Sequence, residues 1–415
     1  MTIKNKLLVL DTSYTYQIIK DRGLFQSVTC RDIDGYFEHV WSVHPFASLL
    51  YDSNDQSTYG KEILYHINSR HTFVDGKIGL FKTLNKIPKL NFLISQFVLT
   101  IRLRSLIKRE KISVIRAGGP LYVGLLGLVL SKLCSVPLLV RVGANYDKIY
   151  EVTKRPIERR LFRYRWIEKI IERLVLSNAD MVAGANLNNL EFAQANGARP
   201  NRSTLFRYGN LLDQRHFQEP SARVDLKDFD ASCIFNNDRR TIGYVGRLEI
   251  EKHPEDVIEV FKNLSGFHED LQLLIIGDGK LKGALEKQIT HASLKEKILF
   301  VGNKSQDWII SALPKIDIIL SPHTGRALLE CALAKTAVVA YDVDWQSELI
   351  ETKKTGFLVE YRNIKCMTVA VDKLLRNREL RDELSSKLRE RAMDMMSIDK
   401  LNEHEISVYS KLIHK

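Results

Sequence analysis

Cysteine is scarce in this chain, and its few residues are scattered. The five present are Cys30, Cys134, Cys233, Cys331 and Cys366. They are odd in number, and no pair has the spacing of a zinc site or a redox motif. That excludes a disulfide framework and predicts reduced core thiols in a cytosolic protein. Long apolar runs are also missing. The most apolar stretch, Leu121 to Leu130, stops at Ser131-Lys132, too short to span a bilayer and suited to a buried helix. The start, Met1-Thr2-Ile3-Lys4-Asn5-Lys6, leads straight into a strand pattern without the signature of a signal peptide. No internal repeat, low-complexity tract, zinc finger, helix-turn-helix or RNA-recognition aromatic signature is visible, so the sequence does not predict a nucleic-acid partner. Negative charge is in short supply: 62 Lys and Arg face 50 Asp and Glu, a formal net charge of +12. That balance suits an anionic partner such as a phosphorylated substrate or an anionic lipid.

What is present is enough for two domains. The 415 residues can bury two cores, and a hydrophobic share of 45% argues against a disordered chain. In the second half, apolar runs of four to six residues alternate with helix-like stretches. The runs are Thr241–Val245, Leu271–Ile276, Ile298–Val301, Asp317–Leu320, Ala337–Tyr341 and Gly356–Val359, with helical patterns such as Pro254–Leu264 and Lys280–Ala292 between them. Continuous apolar strands separated by helices predict a parallel sheet covered on both faces. The first half repeats the theme less regularly, with strands expected at Leu7–Leu10, Ser113–Ile115, Leu138–Val142, Asp180–Val182 and Thr204–Phe206. Residues 45–90 read as insertion loops, and a long helical pattern runs from about Lys373 to the end. The fold class is therefore α/β, with two Rossmann-like domains facing each other across a cleft. The first domain is expected over 1–210, with a closing helix at about 398–415 available to pack on it. A linker follows at 211–240 and a second domain at 241–397.

Ligands of such sheets bind at the carboxyl ends of the strands. Two strand ends carry suitable chemistry. After Thr241–Val245 come Gly246, Arg247 and Lys252. A planar fork and a point charge together can neutralise a diphosphate and the charge that grows on it as it leaves. After Asp317–Leu320 come Ser321-Pro322-His323-Thr324-Gly325, and then a helix over Arg326–Ala334 that carries Glu330. Gly325 lets the first-turn amides of Arg326 and Ala327 approach an anion. Glu330 lies among Leu328, Leu329, Cys331, Ala332 and Leu333, and a carboxylate in such company needs a partner. Two ribose hydroxyls would satisfy it. His323 and Thr324 are available for sugar contacts, and Gly277 and Asn303 stand at neighbouring strand ends. The candidate donor-site set is thus Gly246, Arg247, Lys252, Gly277, Asn303, His323, Thr324, Gly325, Arg326, Ala327 and Glu330.

Taken in order, Val245-Gly246-Arg247-Leu248 with Lys252, Ile275-Ile276-Gly277-Asp278-Gly279, Glu330-Cys331-Ala332-Leu333-Ala334, Val338–Val343 and Thr355–Val359 resemble the donor domain of the retaining family 4 glycosyltransferases, over about residues 240–360. The resemblance implies the GT-B fold, a nucleotide-diphosphate sugar as donor, and transfer that retains the anomeric configuration without a metal or added cofactor. It implies catalytic roles for Arg247 and Lys252 on the diphosphate and for Glu330 on the ribose. One departure stands out. The family has a second Glu eight residues before the ribose Glu, and Pro322 occupies that position here. The triplet Asp342-Val343-Asp344 falls where the family has a loop and is not read as a metal site.

The first half is less like the family. Asp11-Thr12-Ser13-Tyr14-Thr15-Tyr16 replaces the usual glycine-rich loop, and a His expected after a later strand is absent. Strand-end loops there predict an acceptor side built from Tyr14, Arg116, Gly118, Gly119, Arg141, Asn145 and Asp147. Two basic segments stand out as well. Residues 154–173 hold eight Lys and Arg together with Trp166, and residues 82–111 place eight more around the apolar stretch Phe92–Leu103. The first reads as one basic amphipathic helix, and both segments suit an anionic membrane surface. Together these features point to a glycan or lipid-linked acceptor, bacterial surface-polysaccharide assembly, and a cytoplasmic protein peripheral on the inner face of the plasma membrane. The competing readings are a nucleotide-sugar epimerase of the same fold, a non-catalytic scaffold and a basic nucleic-acid-binding protein.

Overall fold

The computed structural model describes residues 5–51, 58–207, 209, 212–220, 234–235, 238–289, 292–323 and 325–414. Chain contacts divide the protein into two units, Met1–Leu211 with Ile398–Lys415, and Leu212–Ser397. Thr324, Cys233 and most of 221–237 lie outside the described residues.

The first unit is built on eight strands: β1 (Asn5–Leu10), β2 (Phe37–His44), β3 (Ile63–Asn68), β4 (His71–Asp75), β5 (Val114–Ala117), β6 (Leu138–Val142), β7 (Met181–Gly184) and β8 (Ser203–Leu205). Their order is β3-β4-β2-β1-β5-β6-β7-β8, parallel throughout except for β3 against β4. Three helices share one core with this sheet: α1 (Pro88–Glu110), α2 (Tyr122–Cys134) and α3 (Arg165–Asn178). Their inward residues, among them Leu99, Leu103, Leu126, Leu130, Val175 and Leu176, pack against Leu8, Leu10, Ile115 and Val140.

Three expectations for this half are corrected. Residues 45–90 are not all loop: they hold the antiparallel pair β3 and β4 at the sheet edge. The strand β2, Phe-Glu-His-Val-Trp-Ser-Val-His, was missed because polar residues interrupt its apolar run. The structure buries Ser42 and His44 there instead of exposing them. The segment 154–173 is not one helix. Lys154 ends the helix Tyr146–Thr153 in a left-handed conformation, and α3 begins only at Arg165. Nor are the cysteines uniformly core residues, since of the four described only Cys331 is buried and Cys366 is exposed.

The second unit has six parallel strands: β9 (Arg240–Val245), β10 (Leu271–Ile276), β11 (Ile298–Gly302), β12 (Ile318–Ser321), β13 (Ala337–Tyr341) and β14 (Phe357–Val359). Their order is β11-β10-β9-β12-β13-β14. Every residue of β10 and β13 is buried, as a sheet covered on both faces requires. The helix after β12 is α4 (Arg326–Leu333). The terminal helical pattern is broken rather than continuous. Asn377 caps the start of Arg378–Met395 by accepting from Leu380 N, and the last helix, α5 (Ile398–Ile413), belongs to the first unit. There Tyr409 is fully buried with Leu7, Val9, Phe37 and Phe206.

Each sheet has one place where the strand order reverses. In the second unit β9 runs outward to β10 and β11, while β12 starts the other way, so the crevice lies beyond Val245 and Ser321. In the first unit the same reversal falls between β1 and β5, beyond Leu10 and Ala117.

Candidate functional site

At the β9–β12 reversal the two chemistry-bearing strand ends meet. Lys252 lies in a short turn after β9, and its Nζ is 3.2 Å from His323 Nδ1 in the segment after β12. An ammonium can only donate, so His323 Nδ1 accepts and its proton sits on Nε2. A Cβ placed on Gly325 would come 4.0 Å from the same Nζ, which fixes Lys252 at the start of α4. Burial pushes the Lys252 pKa down to about 8, aided by the neighbouring charge of Arg247 and opposed by Asp344 and Glu251. A half-buried ammonium whose charge costs this much is a ready receptor for an anion.

Arg247 follows Gly246 and is largely exposed, its guanidinium 3.1 Å from Glu251. Its carbonyl accepts from Tyr244 Oη at 2.9 Å, so the backbone of the cationic turn is held from within β9. The glycines at this edge are packing requirements. A Cβ at Gly277, whose φ is +135°, would lie 1.9 Å from the Gly246 carbonyl oxygen. Gly279 is similarly pressed against Leu248. The chain turns of β9 and β10 therefore nest against each other and carry Arg247 to the edge. Asn303, just past β11, is exposed.

Glu330 sits in the second turn of α4 and is only 3% exposed. Its Oε1 is 3.1 Å from Arg326 Nε, 3.4 Å from Gln306 Nε2 and 3.9 Å from His216 Nε2. All three contacts fall on Oε1, which leaves Oε2 to accept from a ligand. Gly325 provides no side-chain cap, and while Leu328 N donates to the Gly325 carbonyl, the amides of Arg326 and Ala327 keep their donor capacity for an anionic oxygen. Below the helix start, Gln346 donates to the carbonyls of Ser321 and Tyr341 and accepts from Ser321 Oγ, tying β12 to β13. Sequence reasoning missed His216, Gln306, Asp344 and Gln346. His216 is far away in the chain, and its short helix Gln214–Phe217 lies in a stretch whose sequence reads as linker.

The first-unit candidates separate into two groups. Tyr14, Gly118 and Gly119 stand at the β1–β5 reversal. A Cβ on Gly118 would meet Asp11 Oδ1 at 3.2 Å, and one on Gly119 would meet Tyr146 Oη at 2.9 Å. Asp11 itself bonds Arg31 at 2.5 Å and accepts from Ser13. Burial opposes its charge, but Arg31 and Ser13 outweigh that and hold its pKa low. The other four are tied into the framework. Arg116 is buried and donates to Tyr409 Oη at 3.5 Å. Arg141 donates to the carbonyls of Phe206 and Arg207. Asn145 caps its helix by accepting from Lys148 N and also donates to Asn188. Asp147 pairs with Arg165 and Lys169. Among the described residues, no group of three or more His, Cys, Asp or Glu is arranged to hold a metal ion.

Residues 227–391 match the model of the family "Glycosyl transferases group 1", a stretch that falls within the second unit. An alpha-D-kanosaminyltransferase of Streptomyces kanamyceticus is 33% identical over 153 residues, which is 36% of this chain and 40% of that protein. The capsular polysaccharide biosynthesis glycosyltransferase CapM of Staphylococcus aureus is 22% identical over 86% of this chain and 89% of its own. Among solved structures, sucrose-phosphate synthase of Thermosynechococcus elongatus superposes with a TM-score of 0.75 at 15% identity, covering 99% of this chain and 100% of that one. HepE of Anabaena, solved with UDP-glucose, gives 0.69 at 14% identity, covering 97% and 98%. These likenesses establish the fold: two Rossmann-like α/β units of the GT-B architecture.

Proposed function

We propose that this protein is a retaining, metal-independent glycosyltransferase of family 4. It moves a sugar from a nucleotide-diphosphate sugar to a glycan or lipid-linked acceptor in bacterial cell-surface polysaccharide biosynthesis. The observation that carries this reading is the meeting of Lys252, His323 and the start of α4 at one strand-order reversal, with Glu330 one turn further in. The diphosphate lies against Arg247, Lys252 and the first-turn amides of α4, which neutralise the charge released as the sugar–phosphate bond breaks. Glu330 Oε2 accepts from the ribose hydroxyls. Because Pro322 stands where the family has its sugar-contacting Glu, His323 Nε2–H faces the sugar as a donor, and the sugar supplies the acceptor. The relatives support the substrate class, since CapM is named for capsular polysaccharide biosynthesis and HepE was solved with UDP-glucose. In this reading Tyr14, Gly118 and Gly119 border the acceptor, and the protein works in the cytoplasm at the inner face of the plasma membrane.

The test is nucleoside-diphosphate release from UDP-, GDP-, ADP- and dTDP-sugars, with Arg247→Ala and Glu330→Ala beside the wild type. Slow release from one donor, lost in both variants, is the expected result. No release and no binding of any nucleotide would overturn the reading.

A further inference from the structure

The outward faces of α1, α2 and α3 form an unusual surface. The three helices lie side by side, α1 against α2 and α2 against α3, with their inner faces in one core. Their outer faces are not polar. On α1, Leu90, Leu93, Phe97 and Ile101 recur at helical spacing, and Leu93 and Phe97 are 64% and 67% exposed. Val129 and Leu133 continue the patch on α2, and Trp166, Ile170 and Leu174 on α3, with Trp166 at 62% and Ile170 at 59%. Contiguous exposed apolar residues on this scale mark an interaction site.

The charge around the patch says what covers it. The α1 stripe ends in exposed Arg104 and Lys108. Lys132 borders the patch on α2, and Arg163 and Arg173 border it at α3. The three helices contain three carboxylates. Glu168 and Glu172 are fully buried around Arg165, which bonds both, and Glu110 is paired with Lys6 and Arg109. None of these three is left unpaired to offset the cations that the helices themselves carry. A second copy of the chain would set these cations against each other, whereas an anionic bilayer matches both features, taking the apolar side chains among its acyl chains and the cations among its headgroups. Helix α1 is long and apolar enough to cross a membrane, but Leu99, Leu103 and Ile107 anchor its inner side in the core. It lies along a surface rather than through it.

We propose that α1, α2 and α3 form a single docking platform for an anionic membrane surface, with Phe97 and Ile170 as its apolar anchors. The platform differs from the pair of separate basic segments that the sequence suggests. The middle helix α2 is part of it, and Arg165 is turned inward to hold its frame. The inference deepens the reading of a lipid-linked acceptor, but it stands on the first unit alone, whereas the donor site stands on the second.

Co-sedimentation of the full chain with vesicles tests it, using phosphatidylcholine alone and phosphatidylcholine mixed with phosphatidylglycerol. The wild type is expected to sediment with the anionic vesicles and to be released by salt. Phe97→Glu and Ile170→Glu should each weaken binding tenfold or more, and Arg104→Ala about fivefold, as befits one cation at a charged surface. Phe267→Glu, an exposed apolar site on the second unit, should change nothing. All of these side chains are exposed, and a thermal melt of each variant verifies its fold. Failure of the wild type to bind anionic vesicles, or equal binding by the Phe97→Glu and Ile170→Glu variants, overturns the proposal. So does a dimer in analytical ultracentrifugation that Phe97→Glu dissolves, since that assigns the face to a second copy. Nucleotide calorimetry on the same samples reports on the donor site separately, so failure of one reading does not pass for failure of the other.

Discussion

Replacing Lys252 with Met should make the free protein more stable and a worse nucleotide binder. Burial and Arg247 push the Lys252 pKa from 10.5 to about 8. That drop corresponds to roughly 3 kcal/mol of resistance to the charge in the folded state. The side chain keeps some solvent contact, so about 2 kcal/mol is the working figure. Between about pH 8 and 10.5 the unfolded chain holds this proton and the folded one does not, so stability rises with pH across that window. Below about pH 8 both states are charged and the folded protein carries the whole cost. Lys252→Met removes it: the variant should gain about 2 kcal/mol below pH 8, and the gain should fade toward pH 10.5. Nucleoside-diphosphate affinity should move the other way, falling roughly 10- to 100-fold with the loss of a charge-assisted hydrogen bond. In the wild type that affinity should itself decline as pH rises through about 8, with proton uptake on binding. Urea denaturation across this pH range and calorimetric titration of the nucleotide measure both effects. A variant that is destabilised at neutral pH, or one that binds the nucleotide as tightly as the wild type, refutes the reasoning.

Other perturbations separate the parts of the account. Glu330→Gln should weaken nucleoside-diphosphate binding about tenfold while leaving inorganic pyrophosphate affinity unchanged, as calorimetry with both ligands can show, because the carboxylate serves the ribose and not the phosphates. Gly277→Ala should destabilise the second unit by about 3 kcal/mol or more in a thermal melt, because a Cβ would strike the Gly246 carbonyl at a φ of +135°. Arg165→Met should cost about 3–5 kcal/mol in urea denaturation, since it leaves Glu168 buried without its cation and Glu172 with only Lys169 at 3.8 Å. Burial raises the Glu158 pKa to about 7, so stability is full below about pH 4.5 and is lost as pH rises through 7. Glu158→Gln should therefore stabilise the protein by about 1–3 kcal/mol above pH 7 and do nothing at the acid end, which a pH series of melts can follow.

The second unit was legible in the sequence because its strands are buried on both faces. Leu271–Ile276 and Ala337–Tyr341 are unbroken apolar runs, and the structure has strands with those same bounds. The first unit hides its architecture in mixed strands. β2 carries Glu38, His39, Ser42 and His44, and the alternation that would mark it is interrupted because Ser42 and His44 are buried, Ser42 accepting from Arg31. The basic segment at 154–173 misled for a related reason: counting charges does not show which one turns inward. Arg165 does so, because Glu168 and Glu172 at helical spacing meet it in the core, while Trp166 and Ile170 are left outside. At the site, Arg247, Lys252 and Glu330 were visible as residue types after apolar strands. Their company was not, because His216 and Gln306 reach Glu330 from distant parts of the chain. Only the strand order brings β9 beside β12, and that order cannot be read from either run alone.

The most direct measurement is an experimental structure with the nucleoside diphosphate bound. Ribose hydroxyls are expected within hydrogen-bond distance of Glu330 Oε2. The diphosphate is expected between Lys252 and the Arg326 and Ala327 amides of α4, with His323 Nε2 turned toward the sugar side. A nucleotide bound elsewhere, or one seated here without contact to Lys252 and to Glu330 Oε2, would contradict these expectations.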